Sequence, residues 1–131
     1  MNKAVISLGS NINPENNINK VKKILAQEQT LLCESKFVVT KPKGFQDQLD
    51  FINGALYIET KLNMQDLKKY LKDVEHRLGR LRTENKNGPR TIDLDVVVYN
   101  NSIIDNDFYR YDFVKEAVLE LLPELKQILK L

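Results

Sequence analysis

Asp93-Leu94-Asp95 is the triplet whose residue types and spacing could do chemistry most directly. In a strand, residues two apart point the same way, so both carboxylates face one side while Leu94 faces the core. Two adjacent carboxylates repel, and each makes the other harder to ionise. A bound divalent cation removes that conflict. Hard oxygen ligands with open coordination positions suit Mg²⁺, which also keeps waters and substrate phosphates as ligands. A pair of exposed acids on a solvated strand face would carry the same spacing. The upstream residues favour the metal: Arg80, Arg82 and Lys86 lead into Asn87-Gly88-Pro89-Arg90, immediately before the strand. A basic loop beside a carboxylate pair matches metal-bound polyphosphate, and the planar fork of arginine can hold two phosphate oxygens.

The elements that must position these residues follow from periodicity and turn chemistry. Ala4 to Leu8 is a short apolar run ending at Gly9-Ser10-Asn11, a buried strand and its turn. Asn13-Pro14-Glu15 predicts a helix start with Asn13 as N-cap, and Ile18, Val21 and Leu25 continue it at helical spacing to about Gln29. Leu32 to Thr40 suits a strand. The polar segment Lys41 to Gln48, with Pro42 and Gly44, is a loop long enough to be functional. Phe51 to Thr60 is a strand with Phe51, Asn53, Ala55 and Tyr57 on one face and Ile52, Leu56 and Ile58 on the other. Asn63 can cap a second helix carrying the stripe Met64, Leu67, Leu71, Val74 and Leu78. Thr91 to Tyr99 is a strand in which Ile92, Leu94, Val96 and Val98 alternate with the two acids. Asn100-Asn101 is a turn, Phe113 to Leu122 a helix, and Pro123 opens a last short helix to Leu131. The order matches a ferredoxin-like βαββαβ core, an α+β fold with helices packed on an antiparallel sheet, plus C-terminal helices. The second sheet face is expected to be open for a site.

With 131 residues, one domain spanning 1–131 is expected, large enough for a core without disulfides. A net charge of +2 is too small to imply nucleic acid, and Cys33, the single cysteine, excludes an intramolecular disulfide. The N-terminal apolar run is too short for a signal or a membrane span. A cytoplasmic monomer acting on small molecules, with no nucleic acid and no membrane, is the expectation.

The decapeptide Gly88-Pro89-Arg90-Thr91-Ile92-Asp93-Leu94-Asp95-Val96-Val97 resembles the signature of the 6-hydroxymethyl-7,8-dihydropterin pyrophosphokinases of folate synthesis. Val5-Ile6-Ser7-Leu8-Gly9-Ser10-Asn11, Asp50-Phe51-Ile52-Asn53-Gly54-Ala55 and Glu75 through Gly79-Arg80-Leu81-Arg82 resemble further parts of that family. The resemblance implies transfer of pyrophosphate from ATP, with AMP as leaving group and two Mg²⁺ ions on Asp93 and Asp95. It implies Asn53 on the pterin edge, Phe51 and Phe113 on its two ring faces, and Thr40 with the loop at Pro42 and Lys43 completing the pocket. Glu75, Arg82 and Val96 would meet the nucleotide, and Arg80 and Arg90 its phosphates. This chain lacks the Pro-His segment that members of the family carry after the metal strand. Its residues 103–113 are shorter there, and Arg110 is the candidate for the family's later arginine. Asn87 stands where an aromatic is common. Two other readings share the pattern: a ligand-binding relative without catalysis, and a ferredoxin-like RNA binder stacking bases on Phe51 and Tyr57. Balanced charge and the absence of an aromatic RNP-type motif disfavour the latter.

Overall fold

The computed structural model describes residues 1–42, 47–80 and 91–130. Arg82, Arg90 and Lys43, all expected at the site, lie outside the described residues, as do Lys86 and Asn87.

Strand β1 (Asn2–Ser10) is the central strand. It pairs antiparallel with β4 (Phe51–Thr60) on one side and β5 (Asp93–Tyr99) on the other. Strands β2 (Thr30–Glu34) and β3 (Val38–Thr40) both pair with the outer edge of β4, and β6 (Ser102–Ile103) forms a hairpin with β5. The path β2-β4-β1-β5-β6 is an all-antiparallel, six-stranded sheet once β3 is included, with the strand order of the expected ferredoxin-like core.

Helices α1 (Pro14–Glu28) and α2 (Met64–Arg77) cover one face. Ile18, Val21 and Leu25 from α1 and Leu67, Leu71 and Val74 from α2 are buried against Ile6, Leu8, Leu56, Ile58, Leu94 and Val96. The opposite face is half covered rather than open. Helices α3 (Asp107–Arg110), α4 (Asp112–Leu121) and α5 (Leu125–Ile128) bury Phe108, Val114, Val118 and Leu125 against Val5, Ala55, Val97 and Val98. Tyr57 packs under them, which removes it as an exposed stacking platform and weakens the RNA-binding reading. The uncovered end of this face is where the β4 and β5 residues of interest emerge.

Several local expectations shift. The stretch Leu32 to Thr40 is two strands, because Ser35 turns inward and ties both its N–H and its hydroxyl to Ala55. Val98 joins the second core, not the first. A bulge between Val5 and Ile6 of β1 moves the pairing from Val98 to Val96, so Val97 is an extra residue and the alternation changes phase. Asn63 caps α2 as expected, accepting the Asp66 N–H at 2.8 Å. Asn13 does not cap α1 through its side chain; it sits in the left-handed region at φ 42°. The Asn17 amide closes that turn by donating to the Ile12 carbonyl at 2.6 Å. The last helix is limited to Leu125–Ile128.

Candidate active site

Register across three strands builds the site. Asn53, Gly9 and Asp93 lie in one row, and Ala55, Ser7 and Asp95 in the next. With strands about 4.8 Å apart, the Asn53 and Asp93 positions sit roughly 10 Å from each other across Gly9. These rows floor a cavity of about 390 Å³, within the range of small-molecule sites. Thr40, Phe51 and Asn53 line one side, Arg80, Asp93 and Asp95 the other, and Arg110, Tyr111 and Phe113 approach from the C-terminal helices. Eight of the expected site residues therefore meet in one cavity.

On the neutral side, the Asn53 amide donates to the Thr40 hydroxyl. A β-carbon on Gly9 would come within 2.5 Å of Asn53 Oδ1. Glycine is required here for close approach, since any larger residue would displace the amide. Phe113 stacks on Tyr111 with ring centroids 5.5 Å apart and an interplanar angle of 21°. Pro42 is buried and does not line the cavity.

On the charged side, Arg80 is held in place. Its Nη1 donates to Asp93 Oδ1 at 2.8 Å and to Glu75 Oε2 at 2.9 Å, and only 12% of its side chain is exposed. Burial works against the guanidinium charge, but Asp93 and Glu75 more than offset it, so its pKa stays above the usual arginine value. Glu75, which the resemblance puts at the nucleotide, is 2% exposed, and the same Oε2 also accepts the Leu94 N–H at 2.7 Å. It ties the end of α2 to the start of β5. Burial raises its carboxyl pKa, opposed by the Leu94 hydrogen bond and by Arg80.

The Asp95 carboxyl is pushed up to about 7 by burial, then by Asp93, Asp105 and Glu75. The carboxylate oxygens of Asp95, Asp105 and Asp107 lie within 4.8 Å of one another. The donor set fits a hard divalent cation: carboxylate oxygens only, crowded enough that ionisation without a counter-charge is unfavourable. Sequence reading missed Asp105 and Asp107, although their two-residue spacing repeats the D-x-D signal. The segment carrying them follows the β5–β6 hairpin. It is anchored by the fully buried Phe108, and the Asp107 N–H donates to Asp105 Oδ1 at 2.9 Å. Arg110 lines the cavity but is 64% exposed and only 3.9 Å from Asp107, a weak ion pair. His76 is an exposed helix residue.

Val96 lines a second, smaller cavity of about 200 Å³ with Leu71, Leu94 and Ile104. Lys68, Lys72, Asp95 and Asp105 complete it. Among the described residues no helix is long and apolar enough to cross a membrane.

A carboxylate pair on β5 and an amide-and-aromatic pocket on β4, separated by β1 in one cavity, suit an enzyme that brings a metal-bound polyphosphate to a flat polar acceptor. Comparison with known proteins identifies the family. The family described as 7,8-dihydro-6-hydroxymethylpterin-pyrophosphokinase (HPPK) matches residues 5–123. The chain is 35% identical over 133 residues to the 2-amino-4-hydroxy-6-hydroxymethyldihydropteridine pyrophosphokinase of Haemophilus influenzae, covering 93% of this chain and 82% of that one. It is 32% identical over 125 residues to the protein of the same name from Campylobacter jejuni, covering 92% and 79%. It is also 33% identical over 129 residues to the folic acid synthesis protein FOL1 of Dictyostelium discoideum, covering 90% of this chain but 19% of that much longer protein. The chain belongs to the HPPK family.

Proposed function

We propose that this chain transfers the pyrophosphoryl group of ATP to the hydroxymethyl group of 6-hydroxymethyl-7,8-dihydropterin, a step of folate biosynthesis. The observation that carries this reading is the row Asn53–Gly9–Asp93, which sets a neutral, amide-bearing pocket and a carboxylate pair in one cavity, with only the bare backbone of Gly9 between Asn53 and Asp93 in that row. The pterin ring lies between Phe51 and Phe113, with its edge on Asn53. The nucleotide base lies in the smaller cavity beside Val96.

The acceptor hydroxymethyl oxygen bonds to the β-phosphorus of ATP. The bond from that phosphorus to the oxygen bridging it to the α-phosphate breaks, AMP leaves with that oxygen, and the hydroxyl proton passes to water. Asp93 and Asp95 are the residues that would hold two Mg²⁺ ions, which would neutralise charge on the reacting oxygens. Arg80, fixed by Glu75 and Asp93, keeps a positive charge at the phosphate side. Catalysis is then positioning and electrostatics, with no covalent enzyme intermediate.

The test is AMP formation from ATP by the purified chain, with pterin and Mg²⁺ each present or omitted. AMP that requires both supports the reading. Pterin binding with no AMP at high enzyme concentration overturns the catalytic part, and no pterin binding overturns the acceptor.

A further inference from the structure

Phe113 reaches the large cavity with a second ring stacked on it. Tyr111 lies against it with centroids 5.5 Å apart and an interplanar angle of 21°, an offset, near-parallel arrangement that aromatic pairs favour. The Tyr111 backbone is clamped. It is the single residue between α3 and α4. Its N–H donates to the Asp107 carbonyl at 3.0 Å, and its carbonyl accepts the Val114 and Lys115 N–H groups, each at 3.1 Å. The Arg110 guanidinium lies over the Tyr111 ring, 5.9 Å from its centroid, at the outer limit of a cation–π contact. Both rings are half-buried and pack against the core around Phe108 and Val114. A pair of rings that merely closes the edge of that core would explain the packing. It would not explain why both rings also line the cavity.

We infer that Tyr111 is a positioning residue for the acceptor: it backs Phe113 and fixes the plane against which the acceptor ring stacks. The inference rests on the proposed placement of the acceptor between Phe51 and Phe113. A phenylalanine ring has two faces. With Tyr111 on one, the other is left for the acceptor, and Phe113 cannot change rotamer without losing the stack. A wall already in its binding orientation avoids the cost of ordering a free side chain on association. The opposite wall, Phe51, belongs to β4 and is set by the sheet. Phe113 comes from the first turn of a helix instead, and Tyr111 gives it the rigidity that the sheet gives Phe51.

The test titrates the dihydropterin by calorimetry, with a non-hydrolysable ATP analogue and Mg²⁺ present, into the parent chain, Tyr111→Leu, Tyr111→Phe, Phe113→Leu and the double variant Tyr111→Leu/Phe113→Leu. Tyr109→Leu, which removes an exposed ring of the same segment outside the cavity, is the control. Loss of one aromatic pair predicts roughly 3- to 10-fold weaker pterin binding by Tyr111→Leu. Tyr111→Phe keeps the ring and should stay within about twofold of the parent chain, as should Tyr109→Leu. The double variant should bind within about twofold of Phe113→Leu, because Tyr111 acts through that ring. Unchanged pterin binding by Tyr111→Leu overturns the inference. So does an equal loss in Tyr111→Phe, which would mark the hydroxyl, or losses that multiply in the double variant, which would mark an independent role. The parent chain supplies a measurement that needs no variant: the nuclear Overhauser contact between the Tyr111 and Phe113 rings should persist when pterin binds, and its disappearance overturns the inference. A parent chain that binds pterin but makes no AMP overturns the proposed activity, while the loss in Tyr111→Leu would still uphold the role of Tyr111. A parent chain that binds no pterin overturns both.

Discussion

Strands β4 and β5 flank the same central strand and address the same cavity, yet they hold their side chains by different physics. On β4, Asn53 is fixed by one neutral hydrogen bond to Thr40 and by contact with the bare backbone of Gly9. On β5, Asp93 and Asp95 sit among Arg80, Glu75, Asp105 and Asp107, where every charge alters its neighbours. The first arrangement selects a shape and a hydrogen-bonding edge. The second stores an electrostatic conflict that a cation relieves. Changes on β5 should therefore affect turnover and pH response, and changes on β4 acceptor affinity.

The largest effect is expected at the acids. Asp93→Ala and Asp95→Ala should each lower turnover by about 10³-fold or more, since several kcal/mol of charge stabilisation is removed. Circular dichroism and thermal melting should show both variants folded. Turnover within about tenfold of the parent chain in either variant would break the assignment of β5 as the metal strand.

A second effect of β5 is on stability without metal. The folded Asp95 value of about 7 lies above the ordinary 3.8, so the folded chain keeps a proton that the unfolded chain gives up. Its contribution is neutral at low pH, turns unfavourable as pH rises from about 4 to 7, and levels off above that. Asp95→Asn should remove this penalty, raising stability at pH 8 by a few kcal/mol, on the order of the shift times 1.4 kcal/mol per unit. Mg²⁺ should stabilise the parent chain at pH 8 more than Asp95→Asn. Denaturant unfolding at pH 5 and pH 8, with and without Mg²⁺, checks both points. Equal pH dependence in the two proteins would show that the conflict lies elsewhere.

The contrast also separates what the sequence could reveal from what it could not. Asp93 and Asp95 share a face because of period two, a local property, and the same argument put Phe51 and Asn53 together. Val98 escaped that logic because the bulge that reverses its face arises from pairing with Val5 and Ile6, distant in the chain. Glu75 read as a helix residue near the nucleotide. Its burial depends on Leu94 and Arg80 reaching it from other elements. Asp105 and Asp107 meet Asp95 only through the β5–β6 hairpin and the turn into α3. Motif residues and faces were legible; partners brought in by tertiary contact were not.

On the β4 side, Gly9→Ala is the sharpest steric probe. The new β-carbon would lie 2.5 Å from Asn53 Oδ1, so the amide must move. Pterin affinity should fall about tenfold, with a stability loss of about 1–3 kcal/mol typical of overpacking. ATP-analogue affinity should change less than about twofold. A loss of nucleotide binding as large as that of pterin binding would mean that Gly9 serves the charged side instead.

Asn53→Ala should weaken pterin binding by roughly 10-fold, the value of one or two neutral hydrogen bonds, and leave the nucleotide nearly untouched. Thr40→Val is the gentler change and the more telling one. It keeps Asn53 but removes the hydroxyl that accepts from its amide. If Thr40 acts through Asn53 by fixing which way the amide points, Thr40→Val should cost about 3-fold in pterin affinity, and the double variant should be no weaker than Asn53→Ala alone. If Thr40 also touches the acceptor, the two losses will multiply. A titration of pterin into all four proteins distinguishes an oriented amide from two independent contacts. The β5 acids offer no such separation, because removing one of those charges changes the ionisation of the rest.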